Sequence, residues 1–272
     1  MFRSVVVSHD GSRCLEGTLE WLTPLLGEGH SEIELFGRRD AETAGELNSR
    51  EHLEELAERL KQAGGKVSIL PEDFDLIHAT HHKLVVVHSP ELALELLHES
   101  TANIFFTPEG ISPHLPKRVL VPLDGSSYAE EILPLLVPLA QAFRPQLELL
   151  IVGDFDISSH AGSLMAGTED PTTAALTRSL EGAKRHLEEQ GVDVITHAGK
   201  PGNVSRRILE AAAADQADLI AVSSHGHNRL FRWLFGSCAE TLIRSGTTPV
   251  LVRNTRKGTS GAYKLPLQEE AS

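Results

Sequence analysis

Hydrophobic positions along this chain come in two arrangements. Short runs of branched apolar residues alternate with longer stretches in which apolar positions recur every three or four residues. In the C-terminal half the short runs predict strands at Arg118–Leu123, Leu147–Val152, Asp193–His197, Leu219–Ser223 and Val250–Arg253. Between them, "YAEEILPLLVPLAQAF", "TRSLEGAKRHLEEQ", "VSRRILEAAAADQ" and "SCAETLIRS" predict amphipathic helices. Gly191 and Gly199 fall where a helix stop and a turn are wanted. This alternation predicts an α/β fold, a parallel sheet with helices on both faces.

The same pattern occurs twice. "RSVVVSHD" at residues 3–10 matches "KRVLVPLD" at 117–124, an offset of 114 that holds through "DGS" and the apolar positions behind it. Further along, "LEELAERLKQAGGKV" from Leu53 meets "LEGAKRHLEEQGVDV" from Leu180 at offset 127. "KLVVVHS" from Lys83 then meets "DLIAVSS" from Asp218 at offset 135, and "ELALELLHESTANIFF" meets "SCAETLIRSGTTPVLV" at offset 146. The chain therefore reads as a duplication, with a Gly- and Pro-containing boundary in "EGISPHLPK" at 109–117. Each offset step marks residues gained by the second half. Those near its second strand fall mainly in "GDFDISSHAGSLMAGTEDPTTA", and the next step gives a full helix where the first half has only "EDFDLIHATHH". The last step adds the 11 residues His225 to Phe235. One repeat does without this loop, so the fold does not require it, and its role shifts from scaffold toward function.

Composition narrows the function classes. With 40% hydrophobic and 23% charged residues in 272, the chain can bury a core in one large or two ordinary domains. A net charge of −13 argues against a general nucleic-acid binder. No apolar run approaches a membrane span, and "MFRSVVVSHDGS" does not read as a signal peptide. Two distant cysteines, Cys14 and Cys238, predict neither a disulfide scaffold nor a zinc ribbon, and the expected compartment is the cytoplasm.

The added loop is cationic in an acidic chain, with His225, His227, Arg229 and Arg232. Gly226 and Gly236 are separated by nine residues, and Gly236-Ser237 opens the next helix. Glycine lets backbone N–H groups approach an anion, and the helix N-terminus adds its dipole. Ser237 either donates its hydroxyl to a phosphate or caps the helix. The Lys of the GxxxxGK[ST] phosphate loop is missing, and the GxGxxG fingerprint is absent.

"RVLVPLDGSSYAEEIL", "GKPGNVSRRILEAAAADQADLIAVSSHGHNRLFRWLFGS" and "AETLIRSGTTPVLV" resemble a universal stress protein domain over 116–254. Over 1–110 the resemblance rests mostly on the repeat. The chain is thus similar to a tandem universal stress protein whose N-terminal half is degenerate and lacks the phosphate loop, with a flexible tail at 255–272. The resemblance implies two doubly wound, Rossmann-like domains of the adenine-nucleotide α-hydrolase-like type, each with a mainly parallel five-stranded sheet. It also implies ATP or a related adenine nucleotide as ligand, with Mg²⁺ at Asp124 left open. Asp124 would bind the ribose, with Pro122 and Leu123 nearby, and Ile151 or Val152 would meet adenine through its backbone. Gly226, Gly236, Ser237 and Cys238 would hold the phosphates with main-chain N–H groups, beside His225 and Arg229. Nucleotide-binding members carry Gly, two residues, Gly, nine residues, Gly, then Ser or Thr. Here Ser223 occupies the first glycine position, which predicts weakened binding, and a clash if φ must be positive there.

Other readings stand beside these. Asp124 also fits an Asx-turn or N-cap in "DGSS", Arg229 and Arg232 fit a solvated face, and Trp233 and Phe235 fit packing of the loop. "HATHH" at 78–82 reads as a polar loop, with no carboxylate at ligand spacing. Cys14 reads as a small buried residue. "NIFFTPE" and "TPVLVRN" read as final edge strands. The resemblance suggests that such strands pair, either as an intrachain pseudo-dimer or in a homodimer. The expected function is a nucleotide-dependent stress-response regulator acting on an unidentified protein partner. A slow ATPase and an interaction module that binds no nucleotide are the alternatives.

Overall fold

Strands covered on both faces can be apolar throughout, and the central strands of this protein are. The computed structural model describes residues 4–9, 32–37, 50–62, 64–71, 73–78, 83–111, 115–152, 171–198, 202–224 and 235–255. The chain divides into two compact units, Met1–Leu115 with Ile243–Asn254, and Pro116–Leu242 with Thr255–Ser272.

In the first unit, β1 (Ser4–His9), β2 (Glu32–Gly37), β3 (Lys66–Ile69), β4 (Lys83–Val87) and β5 (Asn103–Phe106) lie in the order β3-β2-β1-β4-β5. All four pairings are parallel. Val5, Val6 and Val7 and the run from Leu84 to Val87 are fully buried. Helix α1 (Arg50–Gln62) turns Leu53, Leu56, Ala57 and Leu60 inward, the three- and four-residue spacing of one helical face. Helix α2 (Pro90–Glu99) begins at Ser89, whose Oγ accepts from the Leu92 N–H at 3.2 Å. Pro90 fits that first turn, where an N–H has no partner to lose. A short 3₁₀ turn, Leu76–His78, lies between β3 and β4.

The last strand in sequence, β10 (Val250–Arg253), joins β5 antiparallel. Val250 lies opposite Phe106, Leu251 opposite Phe105 and Val252 opposite Ile104. Asn103 secures the end of this pair. Its side-chain oxygen accepts from Arg253 Nη1 at 3.2 Å and from the Asn254 N–H at 3.4 Å, while Asn254 Nδ2 donates to the Ser100 carbonyl at 3.0 Å.

In the second unit, β6 (Arg118–Leu123), β7 (Gln146–Ile151), β8 (Asp193–Ala198) and β9 (Leu219–Ser223) are parallel, in the order β9-β6-β7-β8. β6, β9 and β10 have the bounds the sequence predicts. β7 starts and ends one residue earlier, because Gln146 enters the ladder opposite Arg118 and Asp193. The helices are α3 (Leu133–Phe143), entered through a 3₁₀ turn at Ala129–Ile132, α4 (Pro171–Glu189), α5 (Val204–Ala214) and α6 (Phe235–Ser245). Helix α4 buries Leu176, Leu180, Ala183 and Leu187. It stops at Gly191, whose φ of +76° suits glycine, with the Val192 N–H returning to the Leu187 carbonyl. Asn203 caps α5 by accepting from the Arg206 N–H at 3.0 Å. Thr255, the first residue of the expected tail, is buried and donates its N–H to Ser224 Oγ at 2.9 Å, and the rest of that tail lies outside the described residues.

Candidate functional site

From β6 the chain steps to β7 and β8 on one side and then returns to β9 on the other. The strand order therefore reverses between β6 and β9, the place where open α/β sheets bind ligands at their carboxyl ends. Alternate residues of a central parallel strand bond to opposite neighbours. The Arg118 carbonyl accepts from the Asp218 N–H beside β9, and the Leu123 carbonyl accepts from the Val152 N–H beside β7. Even-numbered residues of β6 thus face β9. Pro122 is one of them, is buried, and has no N–H to give. The β6–β9 ladder accordingly joins only Val119 to Leu219 and Leu120 to Ile220, whereas the β6–β7 ladder runs through all six residues.

Asp124 follows β6. Its Oδ1 accepts from the Ser126 N–H at 2.9 Å and from Ser126 Oγ at 2.6 Å, which is an Asx-turn. Ser126 Oγ in turn accepts from the Ala129 N–H at 3.1 Å. Gly125 makes the turn at a φ of +76°, and a Cβ there would run into Leu176 of α4. Across the reversal, Ser223 Oγ donates to the Ala129 carbonyl at 3.3 Å. Asp124 and Ser223, 99 positions apart, are therefore linked through Ser126 and Ala129. Ser223 is in extended strand geometry, outside the left-handed region, so its Cβ brings no backbone strain.

Leu123 and Val152 are buried beside this turn. The Val152 N–H is already bonded to Leu123 at 3.0 Å, so an adenine contact at Val152 has only the carbonyl to use. Gly236 and Ser237 occupy the first turn of α6. Cys238 points into the core, where burial pushes its thiol up to about 11 and a hydrogen bond with Ser205 works against the shift. Only its main chain can face a ligand. His225, Gly226, Arg229, His227, Arg232 and Trp233 lie outside the described residues, as does Cys14.

Sequence reasoning passed over Glu130. It is 3% exposed and accepts from Ser179 Oγ of α4 at 2.5 Å. Burial raises its carboxyl above the ordinary range, the Ser179 bond lowers it, and nearby Asp124 raises it. The signal was available, since Glu16 aligns with Glu130 at offset 114, just ahead of the apolar positions of the next helix. At "HATHH" a carboxylate was also missed, because Asp75 Oδ2 lies 2.9 Å from His78 Nδ1 one helical turn earlier.

A doubly wound parallel sheet with polar residues at its point of reversal defines an α/β protein of the Rossmann-like kind. More particularly, the chain belongs to the universal stress protein family, whose family model matches residues 116–253. Universal stress protein MJ0531 of Methanocaldococcus jannaschii is 31% identical over 145 residues, covering 51% of this chain and 82% of that protein. Universal stress protein Rv2623 of Mycobacterium tuberculosis is 26% identical over 148 residues, covering 53% of this chain and only 48% of that protein. The match thus spans about half the length of this mycobacterial relative. A universal stress protein from Archaeoglobus fulgidus is similar across 93% of this chain and 98% of its own, with a TM-score of 0.63 and 18% identity, a likeness of fold. No described helix is long and apolar enough to cross a membrane.

Proposed function

We propose that residues 116–254 form a domain that binds an adenine nucleotide, ATP or a close relative, and that the chain acts as a nucleotide-dependent stress-response regulator. The observation that supports this most is the early end of the β6–β9 ladder at the strand reversal, where Pro122 withholds an N–H. Asp124, Val152 and Ser223 border the opening, and the cationic stretch from His225 follows directly. Asp124 sits near buried Glu130, so this corner suits ribose hydroxyls or a Mg²⁺ ion rather than phosphate. The phosphates fall to the loop and to the first turn of α6.

The first unit supports a complementary role for residues 1–110, that of a related domain without the phosphate loop. Ser8 stands where the repeat has Pro122, and the β1–β4 ladder there runs through four residue pairs, Ser4 to Val7. The strand reversal of that unit is closed further along its length. Antiparallel pairing of β5 with β10 fits the pseudo-dimer reading.

One observation favours the alternative of an interaction module without nucleotide. Asp124 and Ser223 both spend side-chain hydrogen bonds inside the fold, on Ser126 and Ala129. Calorimetric titration of ATP into the full chain and into Gly236→Val separates the two. Saturable binding is expected in the parent, at least tenfold weaker in the variant. No binding in the parent, or equal affinity in both, overturns the nucleotide reading.

A further inference from the structure

Glu148 is a carboxylate in the middle of β7, 5% exposed. In the β7–β8 register it lies opposite Ile195, and His197 lies opposite Leu150, so Glu148 and His197 are diagonal neighbours on one face of the sheet. His197 Nδ1 comes within 2.6 Å of Glu148 Oε1. Despite that nearness, the oxygen has no partner of regular hydrogen-bond geometry among the described residues. The third member is Asp215, which ends α5, and whose carbonyl accepts from Arg118 Nη1 at 2.8 Å. One ligand atom from each of Glu148, His197 and Asp215 lies within 4.8 Å of the others.

This arrangement is costly as a purely structural one. A buried carboxyl group faces a second carboxylate near the negative end of a helix dipole, and one half-exposed imidazole is set against the pair. Two carboxylates and one imidazole on three different elements are a donor set that a cation satisfies.

We propose that Glu148, His197 and Asp215 bind a zinc-class divalent cation through three protein ligands, leaving a fourth position for water or a small anion. The imidazole excludes a dedicated Mg²⁺ or Ca²⁺ cage, which is built of oxygens, and mixed N/O donors suit Zn²⁺. A tetrahedral zinc ion separates its ligand atoms by about 3.3 Å. The His197–Glu148 contact must therefore open slightly and the wider separations close. His197 is half-exposed, so a small turn of its ring makes that adjustment. The two carboxylates balance the charge of the ion. The ion would fasten β7, β8 and the end of α5 together within the second unit. None of the three residues belongs to the candidate nucleotide site, so this proposal and that reading stand or fall separately.

The test uses the full chain, stripped with a chelator and titrated with Zn²⁺ against a chromophoric competitor. One tightly bound equivalent is expected, with His197→Ala and Asp215→Asn each weakening it by at least about tenfold. His78→Ala, which breaks the His78–Asp75 contact outside the proposed site, should leave binding unchanged. Co²⁺ should give the intense visible absorption of a tetrahedral site in the parent and lose it in His197→Ala. Zn²⁺ should raise the melting temperature of the parent more than that of His197→Ala. Substoichiometric binding in the parent, or variants that bind Zn²⁺ and Co²⁺ as the parent does, would overturn the assignment. His197 is partly exposed, so its replacement leaves the fold intact, which far-ultraviolet circular dichroism verifies.

Discussion

Two carboxylates at one corner, Asp124 and Glu130, add a pH dependence to the second unit through Glu130. The folded chain raises the Glu130 carboxyl, chiefly by burial. Between the ordinary value of 4.5 and the raised one, the folded chain keeps a proton that the unfolded chain has released. Stability therefore falls as pH rises through that window and stays lower above it. Glu130→Gln preserves an acceptor for Ser179 and removes the ionisation. Denaturant unfolding measured from pH 4 to pH 8 should show a shallower decline in the variant and a gain in stability near pH 7. An unchanged pH slope would show that Glu130 titrates normally. Gly125 illustrates how narrowly this corner is built, since both its positive φ and the nearness of Leu176 exclude a side chain.

At the scale of elements, the feature on which the proposed site rests is the short ladder between β6 and β9. Pro122→Val returns an N–H on the side facing β9 and lets that ladder lengthen. ATP affinity is expected to fall at least tenfold, ~1.4 kcal/mol, while the unfolding free energy holds or rises. Affinity unchanged by Pro122→Val, measured calorimetrically, would remove the ladder from the account. The strands themselves were legible in the sequence because both of their faces are buried. A run such as Leu219–Val222 has no polar position to blur it. The first turns of α4 were not legible, since Pro171-Thr172-Thr173 carries no amphipathic signal. Asp124 and Ser223 were legible as candidates through the family resemblance. Their connection through Ser126 and Ala129 was not, and neither was the meeting of Glu148, His197 and Asp215. Such contacts depend on which strands adjoin and in what register, and no local pattern records that.

Over the whole molecule, the chain divides into two compact units, and β10, late in the sequence, belongs to the first. The pair of β5 and β10 is secured by Asn103, which is 2% exposed and bonded to Arg253 and Asn254. Asn103→Ala leaves the buried Asn254 N–H without that acceptor and should cost about 1–3 kcal/mol, read from the denaturant midpoint at constant slope. A midpoint equal to that of the parent would mean the contact adds nothing to stability.

The same strand pairing has a consequence in time. β5 is made early in synthesis, and its antiparallel neighbour leaves the ribosome roughly 140 residues later. At about 5–20 residues per second, that interval is on the order of 7–30 s. Throughout it, one edge of Ile104, Phe105 and Phe106 has no β10 to pair with, the kind of edge that invites the wrong strand. Slowing translation downstream of residue 106 should therefore lower the yield of folded protein, and an unchanged yield would show that the waiting edge is harmless.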